Sequence, residues 1–215
     1  MKQGMNSMIL DILDLTGLTH SQVVSIYPYG SRVYGTHRPS SDWDYIVVAD
    51  DCEEKEYRSG DINAHTYSAQ SFQQSLNLHH VSALECLFLP RDQVLMDRGS
   101  WTFALDTGML RREFSAKTSN SWVKCRKKLT VEENQQWIGV KSLFHAMRIA
   151  EFGIQIAEDG GIQDYARSLS LWEEISHMAS EMEAEGLWDW APFNTRYKPV
   201  YNGLMTRFRK LAAKD

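Results

Sequence analysis

Between two apolar runs, residues 23–29 and 46–48, the chain reads Gly-Ser-Arg-Val-Tyr-Gly-Thr-His-Arg-Pro-Ser-Ser-Asp-Trp-Asp over residues 30–44. No other stretch constrains the fold as much. An apolar run that ends in Gly-Ser, followed by a second run entered through Asp-x-Asp, predicts two strands joined by a turn and a short helix. Strand side chains alternate faces, so Asp42 and Asp44 fall on one face and Trp43 on the other. Two carboxylates about 7 Å apart along a strand suit a pair of oxygen-ligated Mg²⁺ ions. Gly30 permits a tight turn, and Ser31 adds a hydroxyl where backbone N–H groups can cradle a phosphate. A phosphate grip beside metal-binding carboxylates is equipment for attack on a nucleoside triphosphate.

The rest of the composition narrows the setting. At 215 residues the chain is long enough for one larger domain or two small ones, each with a core. A hydrophobic share of 43% and a charged share of 24% are those of an ordinary soluble protein. No apolar run approaches membrane-spanning length and the N-terminal residues carry no secretory apolar region, so no membrane partner and a cytoplasmic location are expected. Cys52, Cys86 and Cys125 are odd in number and widely spaced, which supports neither a disulfide framework nor a zinc knuckle. The histidines show no ligand spacing, which disfavours a zinc hydrolase.

A net charge of −5 argues against a protein that coats nucleic acid indiscriminately. Its distribution says more. Between residues 111 and 128 stand Arg111, Arg112, Lys117, Lys124, Arg126, Lys127 and Lys128 against the single acid Glu113. A local basic face on an acidic chain could hold a triphosphate or an RNA end.

The first 90 residues read as α/β. A helix over about residues 6–18 is followed by strands at 23–29 and 44–48, a charged loop or hairpin over 50–60, a third strand at 61–67 and a helix over 70–78. A compact apolar stretch, 84–89, stops at Pro90. Beyond it the period becomes helical. Gly99-Ser100 reads as the start of a short helix, and Thr130-x-x-Glu133 as a capping box opening a long one that ends before Gly160-Gly161. Two more helices are expected near 163–185 and 196–213, separated by an aromatic loop at 188–193. The change of period gives a catalytic domain over 1–95 and a helical subdomain over 96–215 that closes a cleft.

Two-metal chemistry also needs a third carboxylate, and Asp61 is the best candidate because it begins the next strand-like segment. On the long helix Lys141, His145 and Arg148 fall at i, i+4 and i+7, a basic stripe of about 60°. Lys141 is the preferred triphosphate contact.

Gly30-Ser31-Arg32-x-Tyr34-Gly35 with Ser41-Asp42-x-Asp44 resembles the active-site signature of the polymerase β-like nucleotidyltransferase superfamily. It looks like the predicted bacterial and phage nucleotidyltransferases that include an RNA-ligase-associated branch. Asp61-Ile-Asn63, Phe72 and Ala83-Leu-Glu85-x-Leu87-Phe88-x-Pro90 resemble the downstream pattern of the same group. The likeness covers residues 23–90 well and 130–161 more loosely. It implies a mixed sheet flanked by helices, with Asp42, Asp44 and Asp61 binding metal and serving catalysis. Gly30, Ser31, Arg32 and Lys141 would contact the nucleotide. The implied cofactor is Mg²⁺ at a two-metal site, with Mn²⁺ able to substitute. The implied reaction moves a nucleoside monophosphate from an NTP to a hydroxyl of RNA, tRNA or a partner protein. A catalytically silent, antitoxin-like nucleotide-binding module is the alternative.

Overall fold

In the computed structural model, which describes residues 2–132 and 135–213, the first apolar run is strand β1 (Val23–Tyr29) and the second is β2 (Trp43–Ala49). They pair antiparallel, with Ile26 opposite Val47 and Tyr29 opposite Asp44. The charged stretch after β2 is a hairpin of β3 (Lys55–Ser59) and β4 (Ile62–Ser68), turning at Gly60, whose φ is +57°. β4 runs parallel to β2, setting Asp44 opposite Asn63 and Val47 opposite Thr66. A two-residue strand, β5 (Met96–Asp97), borders β1, giving a five-stranded mixed sheet ordered β3-β4-β2-β1-β5. β5 is too short to leave a periodic signal in the sequence.

One face of this sheet is covered by helix α1 (Lys2–Thr16). Ile12 and Leu13 pack there on Val23, Ile26, Tyr45, Val47, Ala64 and Met96. The opposite face receives α2 (Ala69–Asn77) and α3 (Val81–Leu87), the latter built from the stretch before Pro90. Phe72 of α2 stacks on Tyr27 and meets Trp101, whose indole N–H donates to the Tyr27 hydroxyl at 2.8 Å. Burying rings of this size against a sheet contributes about 2 kcal/mol each. The face that carries Asp44 is thereby packed by α2 and α3.

The chain divides into two compact units, Met1–Ala104 and Leu105–Asp215. The second is helical: α4 (Thr107–Thr130), α5 (Gln136–Asp159), α6 (Leu169–Glu185) and α7 (Trp190–Leu211). Three expected boundaries move. No helix begins at Gly99; α4 begins at Thr107, where the Asp106 carboxylate caps it by accepting from the Met109 N–H at 2.7 Å. Thr130 closes α4 and does not open α5, its hydroxyl donating back to the Arg126 carbonyl at 2.9 Å. Glu133, the other half of the expected capping box, lies outside the described residues. The aromatic stretch near 190 is the first turn of α7, capped by Asp189.

α5 is buried on nearly all sides, between α4, α6 and α7. Its approach to α4 and α7 depends on Gly153. A Cβ there would stand 2.7 Å from the Phe208 ring and 3.0 Å from the Phe114 ring, and both rings are fully buried. Gly→Ala in a helix ordinarily gains about 1 kcal/mol of propensity. Overpacking costs about 1–3 kcal/mol where neither ring can give way. Gly153→Ala is therefore expected to destabilise the protein by about 1–2 kcal/mol in urea unfolding.

Candidate functional site

β1 delivers the chain to Gly30, which takes φ +77° and starts a single 3₁₀ turn over Gly30–Arg32. The left-handed conformation favours glycine, and the space demands it: a Cβ on residue 30 would lie 2.4 Å from Oδ2 of Asp44. The turn thus presses its backbone against the carboxylate across the β1–β2 pair. Its closure rests on N–H groups of Val33 and Tyr34, both donating to the Gly30 carbonyl at 3.0 and 3.3 Å, and of Thr36, donating to Ser31 at 2.9 Å.

Asp42 and Asp44 are brought together by one amide. Nδ2 of Asn63 donates to Oδ1 of Asp44 at 3.0 Å and to Oδ2 of Asp42 at 3.2 Å. The Arg58 guanidinium, on the neighbouring β3, also reaches Oδ2 of Asp42 at 3.0 Å from a largely exposed position. Two carboxylates with an amide beside them are an oxygen-rich set that fits a hard divalent cation. The structure does not gather Asp61 with them. It is exposed in the β3–β4 turn, its carbonyl accepting from the Trp43 N–H at 2.6 Å. Among the described residues there is no group of three or more His, Cys, Asp or Glu able to hold a metal ion. The side chain that sits with the pair is Asn63. On the other face Tyr45 is nearly fully buried, and burial pushes its phenol up to about 12; Arg32 opposes the rise, while Asp61 and Asp44 add to it.

Arg32 lies with the motif but spends its donors on the protein. Its guanidinium donates to the carbonyls of Ser41 at 2.6 Å and Asp42 at 3.3 Å, and stacks 3.8 Å from the Trp43 ring centre. These contacts close residues 32–42 into a loop. Tyr34 anchors the same loop from below. Its hydroxyl donates to Oε2 of Glu85 on α3 at 2.5 Å, with both side chains buried. Glu85 thus ties α3 to the motif tyrosine. A hydrogen bond to a carboxylate contributes about 1.5–3 kcal/mol, and orphaning its buried donor is costly. Glu85→Leu is expected to lose about 2 kcal/mol in chemical unfolding, and Glu85→Gln, which keeps an acceptor, less than half of that.

In the second unit, Lys141 is exposed on α5, while Arg148 is buried, with its guanidinium 4.8 Å from the Phe152 ring centre. Nε of Arg148 donates to Nδ1 of His145 at 3.3 Å, which requires a neutral imidazole. Desolvation first, then the cations Arg148, Lys141 and Lys124, push that imidazole down to about 3. His145 as a whole is only half-buried, which weakens the effect. The sign follows: below about pH 6.5 the unfolded chain takes up a proton that the folded one refuses, so stability falls with pH from there toward 3. The slope is about 1 kcal/mol per pH unit, below the full-burial limit. His145→Gln, which keeps an acceptor for Arg148, should flatten the drop in urea midpoint between pH 7 and 5.

The expected basic segment lies within α4. Arg112, Lys117, Lys124 and Arg126 are exposed, whereas Lys127 and Lys128 are ion-paired with Glu132.

Residues 15–104 match the family model described as nucleotidyltransferase domain. No curated protein matches the chain in sequence. Among solved structures it is similar to a nucleotidyltransferase-like protein from Exiguobacterium sibiricum, with 11% identity and a TM-score of 0.34 over 98% of this chain and 73% of that one.

Proposed function

We propose that this chain, whose residues 15–104 match the nucleotidyltransferase-domain model, is a polymerase β-like nucleotidyltransferase that moves a nucleoside monophosphate from an NTP to a hydroxyl acceptor with Mg²⁺ as cofactor. The observation that carries this reading is the Asp42–Asn63–Asp44 cluster set against the Gly30 turn. In the reaction an acceptor oxygen bonds to the α-phosphorus, the bond to the β-phosphate oxygen breaks, and pyrophosphate leaves while the hydroxyl proton passes to solvent. A divalent cation bound by Asp42 and Asp44 would neutralise phosphate charge and favour the ionised hydroxyl; Mn²⁺ meets the same oxygen donors.

The chain's own parts have separable tasks. The glycine turn lets the phosphates approach backbone N–H groups, with the Ser31 hydroxyl beside them. Arg32 on the Ser41 and Asp42 carbonyls, and Tyr34 on Glu85, hold the loop so that the carboxylates and the turn keep one spacing. Such fixed placement supplies much of the rate in phosphoryl chemistry. Asp42→Asn and Asp44→Asn are each expected to lower transfer of labelled nucleotide by at least about a hundredfold. Folding should persist, because removing one of two adjacent like charges relieves repulsion. Asp61→Ala, outside the cluster, should keep most of the transfer; loss comparable to Asp44→Asn would return Asp61 to the chemistry.

We favour an RNA 3′ hydroxyl as acceptor, on the exposed cations of α4. Neutralising Arg112, Lys117, Lys124 and Arg126 together should weaken RNA binding and reduce its salt slope by about one log–log unit for each RNA phosphate that is no longer neutralised. Incubation with each α-³²P NTP and Mg²⁺, with total tRNA or with cell lysate, reads the acceptor directly. Label on protein alone, unchanged in this variant, would make a protein hydroxyl the acceptor.

A further inference from the structure

We propose that Asn63 limits the Asp42/Asp44 pair to a single divalent cation in the absence of nucleotide, so that a second ion enters only with the phosphates of a substrate. The inference rests on the metal-binding reading of the pair. It starts from register. β4 runs parallel to β2 with Asn63 opposite Asp44, and from there one side chain reaches both acids, at 3.0 and 3.2 Å. This is the place from which a third carboxylate could share the metals, and it holds a neutral amide.

Two consequences follow from that choice of side chain. Without metal, the amide N–H groups hold two like charges side by side, a task a carboxylate could not perform. With metal, the pair brings two negative charges, and Arg58 already offsets one of them at Asp42. One divalent ion satisfies that charge; a second would face an excess of positive charge with no further acid to hold it. None is available, since no third acidic, histidine or cysteine side chain joins the pair among the described residues. Asn63 can turn its Oδ1 toward one cation but brings it no charge. A triphosphate does bring charge, so the second ion is coupled to nucleotide. Asn63 is therefore a positioning residue that sets metal number, and Arg58 is the cation that the first metal displaces.

The test counts Mn²⁺ on the metal-stripped full chain without nucleotide, by the electron paramagnetic resonance of free Mn²⁺ at fixed ionic strength. Wild type should bind one ion, with affinity at least tenfold lower in Asp44→Asn. Asn63→Asp should bind two ions, or one at least tenfold more tightly. Asn63→Ala, which removes the amide but adds no charge, should bind no second ion whatever its affinity for the first; two ions on it would overturn the proposal, and this holds the test open should Asn63→Asp fail to fold. Two ions on wild type, both lost in Asp44→Asn, or an Asn63→Asp variant that folds and titrates like wild type, would overturn the role of Asn63 and leave the metal-binding pair intact. Mn²⁺ binding indifferent to Asp44→Asn would overturn the pair itself.

Discussion

The contact between the Gly30 backbone and the Asp44 carboxylate sets the geometry of the first unit. A β carbon at residue 30 would fall 2.4 Å from Oδ2 of Asp44, well inside any permissible approach. Only a residue without one lets β1 end and turn where β2 begins its carboxylate pair. The same glycine sits at φ +77°, so both conformation and space select it. Everything nearby serves to keep that approach: the antiparallel pairing that puts Tyr29 opposite Asp44, the Arg32 clamp on two carbonyls, and the buried Tyr34–Glu85 bond. A loop of more than ten residues would otherwise lose its spacing to conformational entropy.

That loop illustrates how one motif divides its labour. Of the conspicuous side chains between residues 30 and 44, two face the cluster and two face inward. Asp42 and Asp44 share the Asn63 amide, while Arg32 and Tyr34 are spent on backbone and on α3. The inward pair explains why Arg and Tyr suit those positions without either needing to touch a substrate. A guanidinium can serve two carbonyls and a ring face at once, which an ammonium cannot. A buried phenol gives the loop both aromatic area and one strong hydrogen bond.

What the sequence revealed, and what it hid, follows the range of the interactions. Alternation along one strand is local, so the common face of Asp42 and Asp44 was legible, as were β1, β2 and the helical character beyond residue 100. The register between two parallel strands is not local. Asp61 and Asn63 both precede the apolar part of β4, and it is the side-chain hydrogen bonds of Asn63 that bring it to both acids. A charge-based reading preferred the carboxylate and passed over the amide two residues on. Capping signals failed for a related reason. Thr130 has the spacing of a helix start, but the buried positions Leu110, Phe114, Thr118, Trp122, Cys125 and Leu129 carry α4 through to it, and core packing outweighs a single hydroxyl.

Two cationic groups also show how the folded state decides what a charge can do. Arg58 and Arg32 belong to the same region, yet Arg58 is exposed and ion-paired to Asp42, while Arg32 is held by carbonyls that carry no net charge. An exposed ion pair contributes little to stability, about 1 kcal/mol at most, so Arg58 can leave Asp42 at small cost when a stronger cation arrives. Arg32 cannot leave without opening the loop that sets the carboxylates. The exposed arginine is the loosely held charge, and the one on the carbonyls secures the loop. The pair is thus bridged by a neutral amide and met at Asp42 by an exposed arginine, so contacts of different strength share in fixing its geometry.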